Sequence, residues 1–194
     1  MLIFAVLSAT VLLFCCVPMV MIQIAFGPEV TKVPAEVLAV AQKIAPVIVP
    51  PRFSGTVARS ADNSVLQLHV ARFDHTDGRG RLVIGQVHLK ALPDYDANLL
   101  QNLTNELFPG QRLLDVKQTR TKLITIRGQE EKIEILEGED RASTTRYKQV
   151  SAAFDGSDGA KVQLLLQAES DFVTDEAIDA LLQSLATPTA EATP

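Results

Sequence analysis

The sequence predicts an α+β fold: an N-terminal transmembrane helix followed by a mostly antiparallel sheet packed with about three helices. Three observations carry this prediction. The chain opens on an uncharged apolar run long enough to cross a bilayer. Beyond it, segments with period-two alternation follow one another through short turn-rich joins, which implies antiparallel pairing, since parallel neighbours need a long crossover. Between those segments, apolar residues recur at helical spacing, as expected of helices that cover a sheet.

The first element, residues 1–26, is read as the anchor. "LIFAVLSATVLLFCCVPMVMIQIAF", from Leu2 to Phe26, carries no charge, and at about 1.5 Å per residue it exceeds a hydrocarbon core of roughly 30 Å. Phe14 lies mid-run, and Pro18 is tolerable in a bilayer helix because neighbouring groups re-satisfy the freed carbonyl. A cleaved signal needs a basic start and a small-x-small exit. Here no Lys or Arg precedes Lys32, and Ile24 and Phe26 occupy the exit, so the helix is expected to be retained. Cys15 and Cys16, the only cysteines, follow Phe14 rather than the small residue that lipoprotein processing requires. They read as two small apolar thiols, with palmitoylation as the lesser alternative. The expectation is thus a single-pass membrane protein with the lipid bilayer as a partner. Lys32 and Lys43 favour a cytoplasmic C-terminal side, whereas the cysteine-free remainder suits an oxidising compartment; the extracytoplasmic placement is the one adopted.

After a linker over 27–33, residues 34–186 are read as a soluble α+β domain. "PAEVLAVAQKIA" is a helix opened by Pro34, with Val37, Leu38, Ala41 and Ile44 on one face and Pro46 ending it. "PVIVPP" is too proline-rich for a central strand and reads as an extended connector into "RFSGTVARS". "SVLQLHVARF" alternates, with Leu66, Leu68 and Val70 inward and Gln67 and His69 outward. "HTDGRG" turns the chain into "RLVIGQVHLKAL", with Val83, Val87 and Leu89 inward and Gln86, His88 and Lys90 outward; the pair is a hairpin. "PDYDANLLQNLTNELFPG" is a helix with a Leu99, Leu103, Leu107 stripe, an Asp near its start and Pro109-Gly110 closing it. Five further strands follow in "RLLDVKQTR", "KLITIRG", "EKIEILEG", "TTRYKQVSAAFDG" and "AKVQLLLQAE", with tight turns at "RGQE" and "DGSDG". The last helix, "TDEAIDALLQSLA", is capped by Thr174, has Asp175 and Glu176 at its positive end, and turns Ile178, Leu181, Leu182 and Leu185 to the sheet. The helices are expected to cluster on one face. Residues 187–194 read as a disordered tail.

The closing stretch "VSAAFDGSDGAKVQLLLQAESDFVTDEAIDALLQSL" resembles in pattern the end of PsbP-like domains, where a hairpin of an antiparallel sheet leads into a final helix. The resemblance implies a small non-catalytic α/β sandwich that docks on other proteins, often membrane complexes. It carries no functional residue over.

The chemistry-bearing residues do not converge in sequence. His69, His75 and His88 are the only histidines; His69 and His88 could share an outer surface, but zinc would need further ligands. "DHTDGRG" (Asp74, Asp77, Gly78) and "DGSDG" (Asp155, Asp158) lack the oxygen ladder of a calcium loop and read as turns. No nucleophile elbow and no phosphate-cradling loop occur. Asn102 heads a glycosylation sequon inside a helix. No catalytic residue, cofactor or metal is therefore expected. With 18 Lys and Arg against 23 Asp and Glu, a net charge of −5, the chain lacks a nucleic-acid binder's basic footprint. One basic stretch, with Arg112, Lys117, Arg120, Lys122, Arg127 and Lys132, is read as a solvated sheet face in preference to a polyanion site. The functional expectation is a membrane-tethered, non-catalytic interaction or assembly domain with a membrane-associated protein partner. The alternative is a sensor or carrier holding a small apolar ligand between helix and sheet.

Overall fold

The computed structural model describes residues 28–90 and 96–186. Eight strands form one sheet: β1 (Glu29–Thr31), β2 (Phe53–Asp62), β3 (Leu66–His75), β4 (Gly80–Leu89), β5 (Leu114–Ile126), β6 (Gln129–Asp140), β7 (Arg146–Asp155) and β8 (Lys161–Glu169). Among the described residues three helices accompany them: α1 (Pro34–Ile44), α2 (Asp96–Leu107) and α3 (Asp175–Ala186). The strand order is β1-β2-β3-β4-β8-β7-β6-β5, antiparallel at every step. Two four-stranded meanders thus meet at one ladder, which runs from Gly80↔Ala168 to Val87↔Lys161. The chain reaches the far edge of the second meander by way of α2.

Both faces of the sheet are covered. On one, Val37, Ala41 and Ile44 of α1 and Ile178, Leu181 and Leu182 of α3 share a core with Ala58, Ala71, Ile84, Ile133, Val150 and Leu164. On the other, Leu100 and Leu107 of α2, with Phe108, cover Leu68, Val70, Val83, Val87 and Leu165. The expected clustering of helices on one face is corrected. Central strands such as "LVIGQV" and "LLLQA" are apolar on both sides, and a sheet of that kind needs cover on both. Close approach of α1 depends on Gly55, at the bulge of β2, where an added Cβ would lie 2.7 Å from the Val37 Cβ.

Three strand expectations change. "RFSGTVARS", to which the sequence assigns no element, is most of β2, between β1 and β3. The two strands expected over 112–128 are one, β5, carrying a bulge between Val116 and Gln118. The linker supplies β1. The connector "PVIVPP", residues 46–51 with three prolines, carries no strand, as expected. Other local signals hold: the Thr174 hydroxyl accepts the Ala177 N–H at 3.2 Å, and "RGQE" turns with positive φ at Arg127 and Gly128. In α2, Leu107 is buried and Leu99 half-buried, with Leu100 added to the apolar face.

The membrane reading is corrected. Residues 1–26, with Leu2, Phe14, Pro18, Phe26 and the thiols of Cys15 and Cys16, lie outside the described residues, as does the tail 187–194. Among the described residues no helix is long and apolar enough to cross a membrane. The longest have 12 residues, about 18 Å at 1.5 Å per residue against a core of roughly 30 Å. Hydropathy alone qualifies a run for insertion, and no observed element supports it. The single-pass localisation, the bilayer as partner, the extracytoplasmic placement and the membrane-associated partner are withdrawn with it.

Candidate functional site

Beneath α1, Ala58, Ala71 and Ile84 lie side by side on adjacent strands. Two residues along each strand, and therefore on the same face, come Ser60, His69 and Gln86, again in register. α1 ends at Ile44, so this row begins where helical cover stops. The result is an open cleft of about 620 Å³. Its floor holds the buried His69 and Gln86 and the half-buried Ser60 and Gln67, and the exposed Lys43 and Asp62 stand at its rim.

The floor is hydrogen-bonded but not saturated. Ser60 Oγ and His69 Nδ1 are 2.8 Å apart. Gln86 Nε2 donates to Gln67 Oε1 at 3.1 Å. Gln86 is 1% exposed, yet its Oε1 has no partner. Burial, reinforced by the charge of Lys43, holds the His69 imidazole below its ordinary pKa of 6.5, and Asp62 pulls weakly the other way. At neutral pH the ring is therefore uncharged, with one donor and one acceptor nitrogen. Ser60 occupies Nδ1, which leaves Nε2 for whatever enters the cleft. Among the described residues no carboxylate hydrogen-bonds this ring, so the Ser60–His69 pair lacks the third group that orients a base in nucleophilic catalysis.

The residues singled out from sequence are dispersed by the fold. His69 is not outward: it is 6% exposed, sunk into the floor of the cleft on the face that carries α1. His88 lies one register step beyond it, opposite Gln67. His75 is 2% exposed and wedged edge-on between Phe53 and Phe172, with ring centroids at 5.4 and 5.2 Å. Among the described residues no three His, Cys, Asp or Glu side chains gather as a metal site would require. Asp74 does not join a loop with Asp77; it is held by Arg72 and Arg81. Asp158 and Gly159 form a short 3-10 turn, and Asn102 is exposed on α2. The basic stretch is largely neutralised: Arg120 bridges Glu137 and Asp175, Lys122 meets Asp179, and Lys117 meets Asp115. Ser60 and Lys43 escaped the sequence reading, in which Gln86 points outward. The available signal was Gln86 itself, a polar residue inside a strand apolar on both sides.

Fold and cleft together define an α+β domain with helices on both faces of an antiparallel sheet and a polar recess past the end of α1. No protein-family model matches the chain, and no curated protein matches it. The likeness to PsbP-like domains is corrected accordingly: the hairpin-then-helix ending exists as β7, β8 and α3, but that arrangement is common to many antiparallel folds. The apolar-carrier reading is corrected as well. Leu100 and Leu107 pack directly on the sheet, and the groove of about 320 Å³ flanking α2 is open and mixed, with Leu100, Phe154 and Val162 alongside Glu131, Asp155 and Lys161.

Proposed function

We propose that the chain is a non-catalytic binding domain that takes a small polar molecule into the cleft floored by Ser60, His69 and Gln86. The Gln86 carboxamide oxygen carries the reading. A buried acceptor left unpaired costs about 1–3 kcal/mol, a penalty that a donor on an entering molecule removes. Lys43 at the rim, facing Asp62 and Glu29, suits a neutral or zwitterionic ligand better than one of high net charge. The absence of an orienting carboxylate at His69 favours binding over chemistry.

The test is ligand-observed NMR on the full chain with amino acids, polyols and simple amides, repeated on Gln86→Leu. At least one class should give saturation transfer that the variant abolishes while remaining folded. A wild-type chain that answers to none of the three classes, or a response unchanged in the variant, would sink the proposal.

A further inference from the structure

The opposite face and opposite end of the sheet carry a second recess of different chemistry. Gly80 pairs with Ala168 and Arg81 with Gln167, which puts Arg81 and Gln167 on the α2 face near the β3–β4 turn. A cavity of about 290 Å³ opens there, lined by Arg79, Arg81, Arg112, Tyr147, Gln167 and the segment Phe108 to Gly110.

The three arginines are held in different ways, and each hold restrains the cation. Arg81 Nε bonds Asp74 Oδ1 at 2.7 Å, its NH1 donates to the Pro109 carbonyl at 2.6 Å, and its guanidinium lies 5.5 Å from the Phe108 ring centre. Arg79 stacks 4.8 Å over Phe172. Arg112 is fixed through its backbone, because the buried Gln167 accepts its N–H at 2.8 Å and donates to its carbonyl at 3.0 Å. The nearest acids to the latter two stand off: Arg79 is 3.7 Å from Glu169, and Arg112 is 3.6 Å from Asp140. Those distances are beyond a good charge-assisted hydrogen bond. The carboxylates are also the sheltered ends of these pairs. Asp140 is 4% exposed and Glu169 22%, against 52% for each arginine, so in a chain of net charge −5 the positive ends face the recess.

We infer that this recess binds an oxyanion of the phosphate type, carried on a small molecule. Two guanidinium forks with unused N–H groups, backed by Arg81, offer more donors than a carboxylate's two oxygens absorb, whereas a phosphate presents three acceptor oxygens. Tyr147 adds a hydroxyl to the same wall, which donates to Glu169 Oε1 at a long 3.4 Å. Burial and then Glu169 push its pKa above the ordinary phenol value, so it stays protonated. Gly78 and Gly110 beside the opening present no side chain, and the space where one would project is empty. The cavity is larger than inorganic phosphate, which leaves room for the group that bears it.

Titration of the full chain with inorganic phosphate, followed by amide NMR, tests this, with acetate and chloride at matched ionic strength as comparisons. Phosphate should produce saturable shifts confined to residues 78–81, 108–113 and 147. Acetate should bind at least tenfold more weakly. In Arg79→Gln/Arg112→Gln, whose altered side chains are half exposed, phosphate affinity should fall at least tenfold with an unchanged thermal midpoint. Equal responses to phosphate and chloride, or an unchanged phosphate response in the double variant, would overturn the inference; equal acetate binding would overturn its phosphate type.

Discussion

Gln86 loses its hydration on folding and recovers one hydrogen bond, to Gln67, for its amide nitrogen while the oxygen recovers none. Replacing it by leucine removes the orphan acceptor and keeps most of the volume, so Gln86→Leu should leave stability unchanged or raise it by about 1 kcal/mol. A chemical-denaturation midpoint lowered by more than that would mean the oxygen is already satisfied within the protein. His69 offers a second test on the same floor. Its folded-state pKa is depressed, chiefly by burial. The unfolded chain therefore binds more protons just below pH 6.5, and stability is full above that value and falls as acid is added. Urea titrations between pH 7.5 and 5 should show this loss in the wild type and a flatter profile in His69→Gln; parallel profiles would refute it. Neither residue was legible as a floor. Strict alternation puts His69 and Gln86 opposite Leu68 and Val87 correctly, but it cannot say that the second face is also covered, because that cover comes from helices distant in sequence.

At the scale of elements, α3 is fastened by charge as well as by its leucines. Arg120 of β5 and Lys148 of β7 both bond Asp175, in its first turn, and hold that carboxyl at a pKa of about 2. A depressed carboxylate contributes stability above its ordinary value of 3.8, and the contribution vanishes as pH falls through about 2. Because the groups are largely solvent-facing, Asp175→Asn should cost only about 0.2–1 kcal/mol at neutral pH. That difference should close in acid between those two values; a gap that persists at pH 2 would place its origin elsewhere. Backbone contact is costlier. Gly138 of β6 faces the bulge of β5, and an added Cβ would lie 2.6 Å from the Asp115 carbonyl oxygen. Gly138→Ala should therefore cost about 1–3 kcal/mol, read as a lowered denaturation midpoint, and a neutral outcome would show that the bulge yields. This bulge also explains why β5 reads as two strands in sequence. Its side chains are almost all exposed over the first half and alternate only after Arg120, so the pattern changes within one continuous ladder. The helices were easier to see, since apolar stripes and caps such as Thr174 are local.

For the whole molecule, the strand order joins two meanders that are each contiguous in sequence at a single seam, β4 against β8. Sequence showed the β3–β4 hairpin and antiparallel pairing in general, because short turns imply neighbours; it could not show the seam, whose partners are some eighty residues apart. Ladder bonds alone would permit the halves to unfold separately. Two features argue that they do not. The core under α1 and α3 is continuous across the seam, from Ala58 and Ala71 to Ile133 and Val150, and α2 spans β4 and β8 from the other side. Leu164 of β8 is fully buried in that shared core, opposite Ile84. Leu164→Ala should cost about 2–5 kcal/mol, and the loss should be felt equally on both sides. Hydrogen exchange should accelerate together at β3 amides, such as Ala71, and at β7 amides, such as Val150, because one cooperative unit opens as a whole. Acceleration limited to β7 and β8 would mean instead that the first meander, with α1 and its polar recess, stands as a separate folding unit.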